Sequence, residues 1–109
     1  MQTVLKDYAI MFVPSKSNEY RPVCQAHYVD VVCKKFSQLF DGYTLTDSTG
    51  GYVDSRGILV EENVKQIKSF MPAITSSIEL ELFTLADKLK EEMNQECIAL
   101  EISGSLYFI

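Results

Sequence analysis

Cys24, His27 and Asp30 follow one another at intervals of three residues, so a helix places them near one side of its first turns. Thiol, imidazole and carboxylate are the parts of a nucleophilic set, in which a base takes the thiol proton and an acid orients the base. Such sets are normally assembled from separate elements, and three residues along one helix seldom reach in-line geometry. The strip is read as incidental polar surface. Cys24-X-X-His27 also offers two ligands to a metal, but a structural zinc wants about four and a catalytic zinc about three plus water. His27 is the single histidine, and Cys33 and Cys97 lie too far along the chain to complete the set without an accident of folding. Neither a metal nor a cofactor is expected.

Three further groups carry chemistry. Glu61-Glu62 and the set Glu91, Glu92, Glu96 supply paired carboxylates, which perform acid–base work only where their environments separate their pKa values. Next to Lys88 and Lys90, the second group reads as a solvated helix face with i, i+4 pairing. Glu61 and Glu62 are expected to face solvent or a neighbouring subunit. Ser48, Thr49, Gly50, Gly51 and Tyr52, with Arg56 as the nearest cation, could turn backbone N–H groups toward a ligand. No helix start and lysine follow them, as a phosphate loop requires, so the glycine pair reads first as a hairpin turn. These six residues are the expected ligand contacts.

Composition limits what such residues can serve. A chain of 109 residues has room for one domain with one core. Its 47% apolar and 23% charged residues are those of a globular protein. The net charge of −5, with ten scattered basic residues, argues against a phosphate-backbone groove, so no nucleic-acid partner is expected. Three cysteines are an odd set without repeated spacing, which suits free thiols in a reducing cytoplasm. No signal peptide or membrane-length apolar run is visible, and the protein is expected to be cytoplasmic.

The elements that would position these groups follow from periodicity. Tyr8–Val13 is an apolar run of strand length closed by Pro14. Val29, Val32, Cys33, Phe36, Leu39 and Phe40 mark one face of a helix ending at Asp41-Gly42, with Gly42 suited to the left-handed position. Tyr43–Thr46 reads as a second strand, Asp47–Gly51 as a turn cluster, and Val64–Met71 as a third strand, though Val60, Val64, Ile67 and Met71 also fit helical spacing. Ser76 or Ser77 caps a second helix whose stripe is Ile78, Leu82, Leu85, Leu89 and Met93. Glu96–Ile102 alternates as a fourth strand, and Leu106–Ile109 as a short last one. The order βαββαβ, with that C-terminal extension, is α+β and ferredoxin-like: an antiparallel sheet with two helices on one face. The opposite sheet face is then bare, and self-association into a dimer or trimer is expected to cover it. Tyr43, Tyr52 and Tyr107 are candidate anchors for a partner.

The segments Gly42-Tyr-Thr-Leu-Thr-Asp, Gly50-Gly-Tyr-Val and Gly57-Ile-Leu-Val-Glu-Glu-Asn-Val-Lys-Gln-Ile-Lys-Ser-Phe resemble the long second hairpin of the PII/CutA-like superfamily and of related short uncharacterised bacterial proteins. The resemblance covers the middle and C-terminal two-thirds of the chain. It implies a compact oligomer, often a trimer, with inter-subunit clefts for a nucleotide-like effector. The loop is shorter than in PII signalling proteins, and no basic cluster matches their phosphate-binding residues. The function expected is that of a non-enzymatic binding protein, a PII-like sensor or sponge for a small effector. The alternatives are a phage- or plasmid-encoded inhibitor of a bacterial defence complex, and a small cysteine-dependent enzyme built on Cys24 and His27.

Overall fold

The computed structural model describes residues 3–19 and 21–109. Its elements are β1 (Asp7–Val13), α1 (Gln25–Phe40), β2 (Thr44–Val53), β3 (Leu59–Met71), α2 (Ser76–Glu92), β4 (Ala99–Ile102) and β5 (Ser105–Phe108). The five strands form one antiparallel sheet in the order β2-β3-β1-β4-β5. That is the ferredoxin-like order with β5 added at the edge, and both helices lie on one face, as the periodicity predicts.

Alternation along the strands separates the faces. Ala9, Met11 and Val13 of β1, Ile67 and Met71 of β3, and Leu100 and Ile102 of β4 are buried beneath the helices. They meet Val32, Cys33 and Phe36 of α1 and Leu82, Leu85, Ala86 and Leu89 of α2 in one core. The opposite parity, Tyr8, Ile10 and Phe12 on β1 and Gln66, Lys68 and Phe70 on β3, forms the helix-free face, in register as Tyr8 with Phe70, Ile10 with Lys68 and Phe12 with Gln66. Tyr8 packs its ring 5.8 Å from that of Phe70, Lys68 Nζ lies 4.5 Å from the Tyr8 ring centre, and the Tyr8 hydroxyl donates to Glu101. That bond, more than any other cause, raises the Tyr8 pKa.

The structure corrects several local expectations. Asp47–Gly51 is not a turn: β2 runs unbroken through it, with Gly50 opposite Glu62 and Gly51 opposite Glu61. A Cβ on Gly50 would meet Val64 Cγ2 at 2.9 Å, so this glycine serves close cross-strand contact rather than reversal. The chain reverses four residues later. Asp54 Oδ1 accepts the N–H groups of Arg56 at 2.9 Å and Ile58 at 3.0 Å, and Gly57 takes φ +80°. β3 is strand along its whole length, which settles the helical alternative for Val60–Met71. At the end of α1 it is Asp41, not Gly42, that adopts the left-handed conformation, at φ 68°. Thr75, not Ser76 or Ser77, caps α2, accepting from Ile78 N at 3.2 Å.

Candidate functional site

A cleft of about 680 Å³ opens on the helix-free side, where β1 ends and the β2–β3 hairpin runs on beyond it. This volume lies in the ordinary range for small-molecule sites. Phe12, Val64 and Gln66 form part of its floor, with Ala99 and Phe108 from β4 and β5. One wall is main chain and side chain of Ser48–Ser55. The facing wall is Gln95, Glu96, Cys97 and Ile98 after α2, and Pro14 and Asn18 of the β1–α1 loop close a third side.

Hydrogen bonds lock these three segments together. Glu62 lines the cleft, and its Oε1 accepts the N–H groups of Ser15 at 2.8 Å and Lys16 at 3.3 Å, fastening the loop to β3. From the other wall Gln95 Nε2 donates to Lys16 O at 2.6 Å, and Asn18 N donates to Asn94 O at 2.8 Å. The Lys16 peptide groups therefore bridge the hairpin and the segment before β4. Ser48 Oγ donates to Val64 O at 2.6 Å and accepts from Gln66 Nε2 at 3.2 Å, ordering polar groups on the floor.

The charge of the cleft is one-sided. Asp54, Glu62 and Glu96 line it, and no Lys, Arg or His is among the described lining residues. Asp54 is compensated: Arg56 Nη2 and Nε reach its Oδ2 at 2.9 and 3.1 Å. No ion pair among the described residues holds Glu62 or Glu96. The surroundings suit a cation carried on a partly apolar, aromatic body, and disfavour a phosphate.

Of the six residues singled out in the sequence, Ser48, Thr49, Gly50, Gly51 and Tyr52 lie on the cleft wall, and Arg56 does not. The other expected sets are not brought together at the cleft. Cys24, just before α1, and His27, in its first turn, are exposed, and Asp30 pairs with Lys34 at 2.9 Å instead of orienting His27, whose ring rests on Tyr28. Cys33 is buried, and that burial pushes its thiol pKa up. No cluster of three metal-ligating side chains occurs among the described residues. Glu91 and Glu92 lie exposed at the end of α2. Tyr107 packs on Phe83 at 5.3 Å, and Tyr43 meets Cys33. Sequence reasoning assigned Glu62 to solvent or a neighbour and did not find Phe12, Gln66, Gln95, Cys97 or Phe108 as parts of one site. The period of two along β3 sets Glu62, Val64 and Gln66 on one face, which was the available signal; the contribution from β5 and the α2–β4 segment had none.

No protein-family model and no curated protein matches the sequence. Among solved structures, a phage SAM lyase in complex with S-methyl-5'-thioadenosine is similar over 100% of this chain and 93% of that one, at TM-score 0.70 and 21% identity. The phage SAM lyase in its apo state gives TM-score 0.71 and 21% identity over 100% of this chain and 94% of that one. At this identity the match establishes a shared fold. It also corrects the expectation of a non-enzymatic, PII-like sensor or sponge, because the fold matched from end to end is that of an enzyme. No helix among the described residues is long and apolar enough to cross a membrane.

Proposed function

We propose that this protein is an enzyme that binds S-adenosylmethionine in the hairpin cleft and cleaves it to S-methyl-5'-thioadenosine. The observation that carries the reading is the charge of the cleft: two carboxylates that no ion pair among the described residues holds, and aromatic side chains, on the fold of a lyase named for that substrate. S-adenosylmethionine is a sulfonium cation that also bears an ammonium group, on a flat aromatic nucleoside. A unit charge 4 Å from a carboxylate interacts by about 4 kcal/mol at an effective dielectric constant of 20. The same term opposes an anionic nucleotide.

A lyase must break the bond between sulfur and the aminobutyryl carbon without water. The substrate contains its own nucleophile. Its carboxylate oxygen closes on that carbon, the new C–O bond completes a five-membered lactone, and the C–S electron pair stays on sulfur. The sulfonium and carboxylate charges cancel, the ammonium is unchanged, and the products are the thioether nucleoside and a homoserine lactone. The leaving group is a neutral thioether, so no general acid is needed. The protein's part is to fold the substrate chain into the attacking conformer and to surround two charges that disappear with apolar surface. Glu62, held by two backbone donors, supplies a fixed carboxylate for the ammonium, and Phe12, Val64 and Phe108 supply the apolar surface.

Self-association belongs to the same reading. Phe70 and Leu106 are about half exposed on the helix-free face, outside the cleft lining, so a dimer or trimer that covers this part of the face in the cytoplasm is expected, measurable by light scattering.

The activity is tested by incubating purified protein with S-adenosylmethionine and resolving products by liquid chromatography and mass spectrometry. Equal accumulation of the thioether nucleoside and the lactone is expected. Unchanged substrate at stoichiometric protein, with no binding of substrate or nucleoside product by calorimetry, would overturn the reading.

A further inference from the structure

We infer that Gln66 reads the purine base in this cleft and restricts it to adenine, with Ser48 setting the orientation of the Gln66 amide. The inference rests on the reading of the cleft as a nucleoside site. The hydrogen bonds that link Val64, Ser48 and Gln66 have a forced direction. Val64 O is a carbonyl and can only accept, so Ser48 Oγ, 2.6 Å away, must donate to it. The Ser48 hydroxyl has one proton, and with that proton committed its oxygen can only accept. Gln66 therefore turns its NH2 group toward Ser48, at 3.2 Å, and the carbonyl Oε1 toward its other surroundings. An amide free to flip would serve as donor or acceptor with equal ease; this one is fixed.

The setting suits a base. Gln66 and Phe12 are direct cross-strand partners on the same face, and both line the cleft, so a flat ring lying on Phe12 has its edge beside the Gln66 amide. An aromatic platform with an adjacent amide is a common way of holding a base. Gln66 retains one acceptor, Oε1, and the second Nε2 proton. Adenine carries a complementary donor and acceptor, its exocyclic amine and a neighbouring ring nitrogen, the pairing by which Gln and Asn recognise that base elsewhere. Hypoxanthine and guanine present an oxygen where adenine presents the amine. That oxygen would face Oε1 of an amide that cannot turn over without breaking its bond to Ser48. Sites built around a particular hydrogen bond reject the analogue that lacks it, because their own polar group is left unpaired.

The test compares two neutral ligands that differ only in the base, S-methyl-5'-thioadenosine and 5'-methylthioinosine, by calorimetry on the full chain. The wild-type protein is expected to prefer the adenine ligand by at least about tenfold. In Ser48→Ala, which lets the amide turn, and in Gln66→Leu, which removes it, the ratio is expected to fall to near unity. Melting temperatures are recorded alongside, because a change in the ratio between two ligands is not produced by lost stability alone. Equal binding of both ligands by the wild type overturns the inference while the nucleoside site stands. A preference that survives in both variants also overturns it, and assigns the base to other groups. Binding of neither ligand removes the nucleoside reading and this inference with it.

Discussion

Glu62 Oε1 accepts the main-chain N–H of Ser15 at 2.8 Å, across 47 residues of sequence. Through this bond a strand-borne carboxylate holds the loop between β1 and α1 against the hairpin and at the same time lines the cleft. Removing it should have two separable effects. Hydrogen bonds to a charged group contribute about 1.5–3 kcal/mol, so Glu62→Ala should lower the melting temperature by several degrees. Glu62→Gln keeps an acceptor for Ser15 and Lys16 but loses the charge. It should melt close to wild type and bind S-adenosylmethionine at least about tenfold more weakly, while affinity for the neutral nucleoside product changes little. Equal weakening toward both ligands would argue that Glu62 acts on the cleft's shape alone.

The source of the nucleophile is open to a substrate analogue. Decarboxylated S-adenosylmethionine keeps the sulfonium, ammonium and nucleoside and lacks the carboxylate that closes the lactone. It should compete with the substrate for the cleft and yield no thioether nucleoside above the uncatalysed background. Turnover of this analogue at a comparable rate would transfer the attacking role to another group.

The three cysteines should separate by environment. Cys24 and Cys97 are exposed, whereas Cys33 is buried with its thiol pKa raised, chiefly by that burial. Iodoacetamide followed by peptide mass spectrometry should label the first two and spare Cys33 in the native protein. S-methyl-5'-thioadenosine should protect Cys97, which lines the cleft, and leave Cys24 reactive. Cys24→Ala and His27→Ala, both away from the cleft lining, should retain wild-type turnover. A loss above about tenfold in either would restore the thiol-enzyme alternative.

Gly50 offers a steric test of the wall. An added Cβ meets Val64 Cγ2 at 2.9 Å, and valine's restricted χ1 leaves it little room to yield. Gly50→Ala should displace Val64 on the cleft floor and raise the KM for S-adenosylmethionine several-fold. Val64→Ala in the same chain should relieve much of that change. Additive effects of the two substitutions would show that they act independently.

The legibility of this chain in its sequence was uneven for physical reasons. Helix faces and buried strands repeat with fixed periods, so Leu82, Leu85 and Leu89, and Ile98, Leu100 and Ile102, announced their buried faces directly. The order of the elements then led to the ferredoxin-like sheet. Gly50-Gly51 misled because glycine marks both reversal and close approach, and only the partner strand distinguishes them. The Asp41 position misled for a related reason: Gly42 stood beside it with a stronger claim to positive φ. The cleft is a long-range object. Phe12 and Phe108 lie 96 residues apart in sequence and share the cleft because the sheet order leaves a single strand, β4, between β1 and β5. Cys24, His27 and Asp30 offered a short-range pattern of chemistry, but their helix turns that strip toward solvent.

The hairpin that walls the cleft is also thinly supported along its outer strand. No residue of β2 is buried, while β1 beside the core has four buried positions, and the molecule is drawn out to 52 Å against 24 and 23 Å in its other directions. The far rungs of β2 and β3 should therefore exchange their amide hydrogens through local opening, well before the core strands release theirs. Ligand entry can draw on this low-cost fluctuation while β1, β4 and both helices stay assembled. Bound nucleoside would then appear first as slowed exchange at Ser48–Val53, making the outer hairpin a built-in reporter of occupancy.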